Sequence, residues 1–235
     1  MLPDALQALL ILQDRDQRRV QLEKVLAQVP RERTTVEARM VDHHAGIEAA
    51  RKAVTDLELR RKEIESTLRD LEEQVRRYRS QQLQIKKNDE YQALTHEIEL
   101  IEGRIGEAEE TEIQLLYDLD RQREQSRATE RERNEDIAGE QAQLRRIDER
   151  EQQVRADLAA AQAEVENARS AVLPALLPRY DRLAKSVGLP VVVPMVSQKC
   201  GGCHLKVSSG VETEVRKGGD VVACDNCSRM LYFET

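Results

Sequence analysis

At 235 residues the chain is long enough for one or two ordinary domains, yet 34% of it is charged, 3% is aromatic, and it has no Trp and a single Phe. A thick core needs large apolar side chains, so a wide globular interior is excluded and extended helices with a narrow apolar seam are favoured. The net charge of -7 argues against a general nucleic-acid binder. One local exception is the acid-free stretch Gln74–Lys87, which carries Arg76, Arg77, Arg79, Lys86 and Lys87.

In chain order, Met1–Leu12 is apolar but short, has no basic leader and contains Asp4. It does not read as a signal peptide, and no run approaches the ~18–20 apolar residues that cross a bilayer. A seven-residue repeat starts at Leu22 and runs through Leu26, Val29, Val36, Ile47, Val54, Leu57, Ile64, Leu68, Leu71, Val75 and Ile85, with Arg33, His43, Arg61 and Gln82 as polar members. Such a repeat keeps one stripe facing a partner helix in a left-handed coiled coil. Pro30 predicts a kink or break. Lys86-Lys87-Asn88-Asp89-Glu90 then reads as a connection, with Asn88 as N-cap and two acids at the positive end of a new helix.

A second repeat takes Tyr91, Leu94, Ile98, Ile101, Ile105, Ala108, Leu115 and Leu119, fades from Arg121 to Asp136, and resumes out of phase at Ile137 towards Val172. The faded stretch is expected to be thinly packed and mobile. Two arms of similar length predict a mainly α fold: a long antiparallel hairpin over residues 1–173 with its tip near 86–90. At 1.5 Å per residue its arms would reach roughly 120 Å. One continuous helix in a parallel dimer is the less favoured alternative. Pro174, Pro178, Pro190 and Pro194 mark a connector over 174–194 with one short helix at Arg179–Val187. Residues 195–235 read as β-rich. Short strands are expected at Val191–Val193, Val211–Val215, Val221–Ala223 and Met230–Phe233, with Gly210 and Gly218-Gly219 as turns. The hairpin would return the N-terminus to the side of this region.

The chemistry is concentrated in Cys200-Gly201-Gly202-Cys203 and Cys224-Asp225-Asn226-Cys227. Two Cys-x-x-Cys turns at this separation supply four thiolates to one tetrahedral Zn²⁺, with no position left for water or substrate. This is the pattern of a structural zinc ribbon with one zinc ion; a rubredoxin-like iron site is the chemical alternative. Paired cysteines without an export signal favour a reducing, cytoplasmic setting. His204 beside Cys203 is a weak substitute ligand, and His96-Glu97 lacks the second His of a zincin. Lys199 and Arg229 flank the quartet, either offsetting its negative charge or simply solvated. The basic stretch, with Tyr78, Asn88 and Tyr91 nearby, is either a phosphate grip or a solvated face paired with Glu72 or with acids of the facing arm. No phosphate loop, nucleophile triad or carboxylate pair appears, so neither an enzyme nor a small-molecule substrate is expected.

Three stretches resemble one bacterial family. They are Lys87-Asn88-Asp89-Glu90-Tyr91-Gln92-Ala93-Leu94-Thr95-His96-Glu97-Ile98, Tyr180-Asp181-Arg182-Leu183, and Val222 to Tyr232 with Cys224, Cys227, Arg229 and Leu231. The chain resembles the C4-type zinc-ribbon proteins with an N-terminal coiled-coil hairpin (FlgZ/CdsZ-like), with Ser228 where that family usually has Gly. The resemblance implies a non-enzymatic adaptor or chaperone that binds a protein partner, with sigma-54, flagellar or type III secretion components among the partners of relatives. An RNA- or DNA-binding regulator using the basic tip or the ribbon is the alternative. Expected contacts are Arg76, Arg77, Arg79, Lys86, Lys87, Asn88, Tyr91 and Arg229. The chain would be a monomer or homodimer and would not engage a membrane.

Overall fold

The computed structural model describes residues 4–218 and 220–233. The fold is mainly α, with two long helices packed together and a small C-terminal sheet. In order come α1 (Asp4–Gln82), α2 (Asn88–Ser170), α3 (Leu177–Ser186), β1 (Val192–Val196), β2 (Lys199–Cys200), α4 (Ser209–Lys217), β3 (Val222–Ala223) and β4 (Met230–Phe233). Among the described residues no helix is long and apolar enough to cross a membrane. The chain divides into two compact units. One is Thr34–Leu144; the other joins the chain up to Arg33 with everything from Arg145 on.

In the Thr34–Leu144 unit, α1 and α2 run antiparallel. As the number on α1 rises its ion-pair partner on α2 falls: Arg39 with Glu140, Arg51 with Glu130, Glu58 with Arg123, Arg79 with Glu102. Exposed pairs of this kind add little stability because water and salt screen them, so they fix register more than stability. Burial supplies the stability, through Leu71, Val75, Ile98 and Ile101 with Tyr78, Leu94 and Ile105 around them. The buried α1 residues of this unit (Val36, Ile47, Leu68, Leu71, Val75) all fall on the expected seam. Between Leu119 and Ile137 the only buried side chain on α2 is that of Ser126, so apolar packing thins there as the weak repeat implies. His43, a polar seam member, lies 3.0 Å from Arg133 and 3.5 Å from Asp136. The helix α2 begins at Asn88, placing that residue in the first turn rather than at the N-cap; Asp89 and Glu90 are in that turn as expected.

The other unit gathers the start of α1, the end of α2, α3 and the sheet around one core: Leu6, Leu9, Leu12, Val165, Val172, Tyr180, Leu183, Val191, Val192 and Met230. The N-terminal turns therefore do lie beside the cysteine region. Against expectation, α1 continues through Pro30 without a break. Its ring is on the exposed side while Val29 next to it is buried in the seam, so packing outweighs the lost backbone bond. The sheet has order β2-β1-β4-β3, with β1 parallel to β4 and the other pairs antiparallel. The expected strand at Val211–Val215 is instead the helix α4. Ser208 caps its start by accepting from Val211 N, Gly218 ends it in the left-handed region (φ 66), and Gly210 lies within it rather than in a turn. Val211 and Val215 are one helical turn apart and pack on the same apolar cluster, a spacing that also looks like strand alternation. Gly219, the other half of that expected turn, lies outside the described residues.

Candidate metal centre

Each Cys-x-x-Cys turn is built the same way. The first cysteine's carbonyl accepts a hydrogen bond from the residue after the second: His204 N to Cys200 O at 2.8 Å, and Ser228 N to Cys224 O at 2.9 Å. Both donors adopt φ 61, a left-handed conformation that favours Gly. Gly201 and Gly202 have separate reasons to lack a side chain. A Cβ on Gly201 would sit 2.7 Å from Pro194 O, and one on Gly202 would sit 2.5 Å from Arg229 Cδ.

These two turns bring all four sulfurs within 4.8 Å of one another. Cys200 Sγ lies 3.7 Å from Cys227 Sγ, and Cys203 Sγ lies 3.8 Å from Cys224 Sγ. A disulfide would need about 2.05 Å. A tetrahedron of sulfurs around zinc at about 2.3 Å has edges of about 3.8 Å, so the cluster has the size of a zinc-thiolate site. Cys200 and Cys224 are buried. Burial pushes the Cys200 thiol up to about 12. At Cys227 burial acts the same way, but hydrogen bonds from the backbone and side chain of Arg229 outweigh it and bring the thiol to about 7. Held in place, a zinc ion would replace the thiol protons and join two turns that already pack on one apolar cluster.

Residues 199–231 match the family described as C4-type zinc ribbon domain. That segment is a C4-type zinc ribbon. Three solved structures share the fold of the chain carrying it. CT398 from Chlamydia trachomatis is 24% identical, covers 98% of each chain and superposes with a TM-score of 0.83. A protein from Mycobacterium smegmatis is 16% identical over 100% of each chain, with a TM-score of 0.79. The HP0958 protein from Helicobacter pylori is 19% identical, covering 99% of this chain and 98% of its own, with a TM-score of 0.56. No curated protein matches the chain in sequence.

Around the ribbon, Arg229 is half-buried and its guanidinium is already engaged by the chain. Its Nε donates to Pro190 O and its terminal nitrogen to Val187 O, both at 2.8 Å, while the same group supports the Cys227 thiolate. Lys199 is exposed. Residues that the sequence reading missed fasten the sheet and α3 to the long helices. The buried Gln13 side chain accepts from Val191 N and Val192 N at 2.6 Å each and donates to Val192 O at 2.9 Å. Tyr180, fully buried, donates to Asp16 at 3.1 Å. Arg169 forms a two-pronged pair with Asp181 at 2.9 and 2.7 Å. The Tyr180-Asp181 segment was visible in the family resemblance; nothing in the sequence distinguished Gln13 from its neighbours.

The expected tip residues belong to the other unit. Arg79 pairs with Glu102 on the facing arm and Lys87 with Glu90 at 3.0 Å. Arg77 lies 5.7 Å from the Tyr78 ring centre. Arg76, Lys86, Asn88 and Tyr91 are exposed. Two of the five cations in the basic stretch, Arg79 and Lys87, are therefore ion-paired among the described residues.

Proposed function

We propose that this is a non-enzymatic, cytoplasmic adaptor or chaperone that binds a protein partner. The observation that carries the reading is the ribbon's chemistry: four sulfurs fill the coordination of one zinc ion, and a saturated ion is a staple rather than a reaction centre. Gln13 holds the start of β1 against α1 and Arg229 ties the ribbon to the connector, which suits a rigid scaffold. Val196 and Leu205, each 55% exposed, give the ribbon apolar surface for recognition. The family resemblance makes sigma-54, flagellar and type III secretion components the partners to screen first. Affinity capture from the native host, comparing the intact chain with Cys224→Ser/Cys227→Ser, tests this. Loss of a defined partner in the variant is expected; an unchanged partner set would refute the ribbon's role in recognition.

A nucleic-acid role through the tip is the second reading. Arg76 and Lys86 are exposed and form no ion pair among the described residues, so those cations are available to phosphates. Binding should weaken steeply with salt and disappear in a variant with Arg76, Arg77, Lys86 and Lys87 replaced.

A further inference from the structure

We infer that the outward face of α2 around Ile113, Leu116 and Tyr117 docks a basic amphipathic helix of a partner protein. This deepens the adaptor reading and rests on it. The three side chains are 55%, 41% and 70% exposed. Their spacing of three and four residues puts them on one helix face. They are not spare core residues, because Leu115 and Leu119 already fill the inward positions of these turns. Isolated exposed apolar side chains are ordinary, whereas a contiguous helical cluster marks an interaction surface.

The surrounding charge selects the occupant. From Glu97 to Asp120 the sequence has nine acids and one cation, Arg104. Glu109 and Glu110 lie one turn before Ile113, are exposed, and make no ion pair among the described residues. Asp120, one turn after Leu116, has only a 4.0 Å approach from Arg123. Arg121, one turn after Tyr117, is paired with Asp118, and an apolar centre with an otherwise acidic rim is complementary to a helix with an apolar stripe between lysines or arginines. Continuing the stripe, Gly103 and Gly106 weaken the helix interior, yet a Cβ at either would meet nothing within 4 Å. The chain's own packing has no need of them, and a closely seated second helix would.

The test uses the full zinc-loaded chain and a labelled lysine–leucine amphipathic peptide, with a glutamate–leucine peptide as control. The cationic peptide should bind, more weakly as salt rises, and Ile113→Ser/Tyr117→Ser should lower its affinity by about tenfold or more. Both positions are exposed, so helical circular dichroism and melting should be unchanged. Val41→Ser, at a 65% exposed site on α1, should bind as the parent does. Absence of binding at low salt, equal binding by the double variant, or equal binding of the acidic peptide would each overturn the inference. So would self-association of the parent that the double variant abolishes, since a second copy would then cover this face. Host capture separates the two readings. If the double variant retains a partner that the zinc-ligand variant loses, this surface fails while the adaptor stands.

Discussion

Gln13 gives the sharpest test of how the ribbon is fastened. Its one side chain satisfies two backbone donors and one acceptor at the start of β1, with Val191 and Val192 each nearly fully buried. Truncation by Gln13→Ala removes three hydrogen bonds worth about 0.5–1.5 kcal/mol each and strands buried groups, so about 3 kcal/mol of stability should go. For a unit of this size that is roughly 10 °C in its melting transition. Gln13→Glu isolates the donor's role. The introduced carboxylate can still accept from both N–H groups, but it faces Val192 O and has Asp16 one turn away, also buried. Its pKa should therefore be raised in the folded state. The sign follows: relative to the parent, the penalty is absent below the unfolded value of about 4.3, where the neutral acid can donate to Val192 O. It grows as pH climbs and is complete above the folded pKa. Calorimetry across pH, with amide exchange at Val191 and Val192, measures both effects. A Gln13→Ala transition within about 1 °C of the parent, with unchanged exchange at those amides, would refute this account of the clamp.

Four further outcomes are expected. Zinc chelation should expose amides well beyond 199–231, in β1 and α3, because Met230 shares a core with Leu9, Val165 and Tyr180, while Thr34–Leu144 keeps its helicity; exchange confined to the ribbon itself would contradict this. Zinc affinity in a competition assay should fall with falling pH, since buried thiols such as Cys200, pushed up to about 12, must release protons to bind. Ser228→Gly should stabilise the zinc-loaded chain by about 1 kcal/mol, relieving the φ of 61 that a side chain resists, and a melting scan would show it. Asp181 has its carboxyl held below the ordinary range by Arg169, so its contribution is present above the unfolded value of about 3.9 and is lost as pH falls through the lower folded value. Asp181→Asn should flatten the acid limb of the melting temperature against pH.

What could be read ahead of the structure follows from which interactions are local. A seam at a seven-residue period is a property of sequence spacing, and Val36, Ile47, Leu71, Val75, Ile98 and Ile101 are buried where that period places them. Cys-x-x-Cys turns are equally local, and two of them brought four sulfurs together. The errors share one cause, a residue whose local preference lost to its surroundings. Pro30 should have broken α1 but sits on its solvent side. Ser197 and Gln198 turn the β1–β2 hairpin with both φ positive, a conformation usually announced by Asn or Gly, so β1 looked as if it ended early. Valines at 211 and 215 suggested a strand until Ser208 and Gly218 capped a helix around them.

Gln13 is the extreme case. Its partners are some 180 positions away, and one glutamine among many in an α1 rich in polar residues carries no local mark. The same consideration separates the two ends of the functional argument. Arg229 looked like a free cation beside the metal because its hydrogen-bond acceptors, Val187 and Pro190, are backbone carbonyls that any sequence supplies. Ile113, Leu116 and Tyr117 looked unremarkable because they are off the seam, and an off-seam apolar residue acquires meaning only once the inward positions are seen to be filled. A side chain is therefore best assigned to a partner when the chain has demonstrably left it none. Arg229 fails that criterion, and the outward face of α2 meets it.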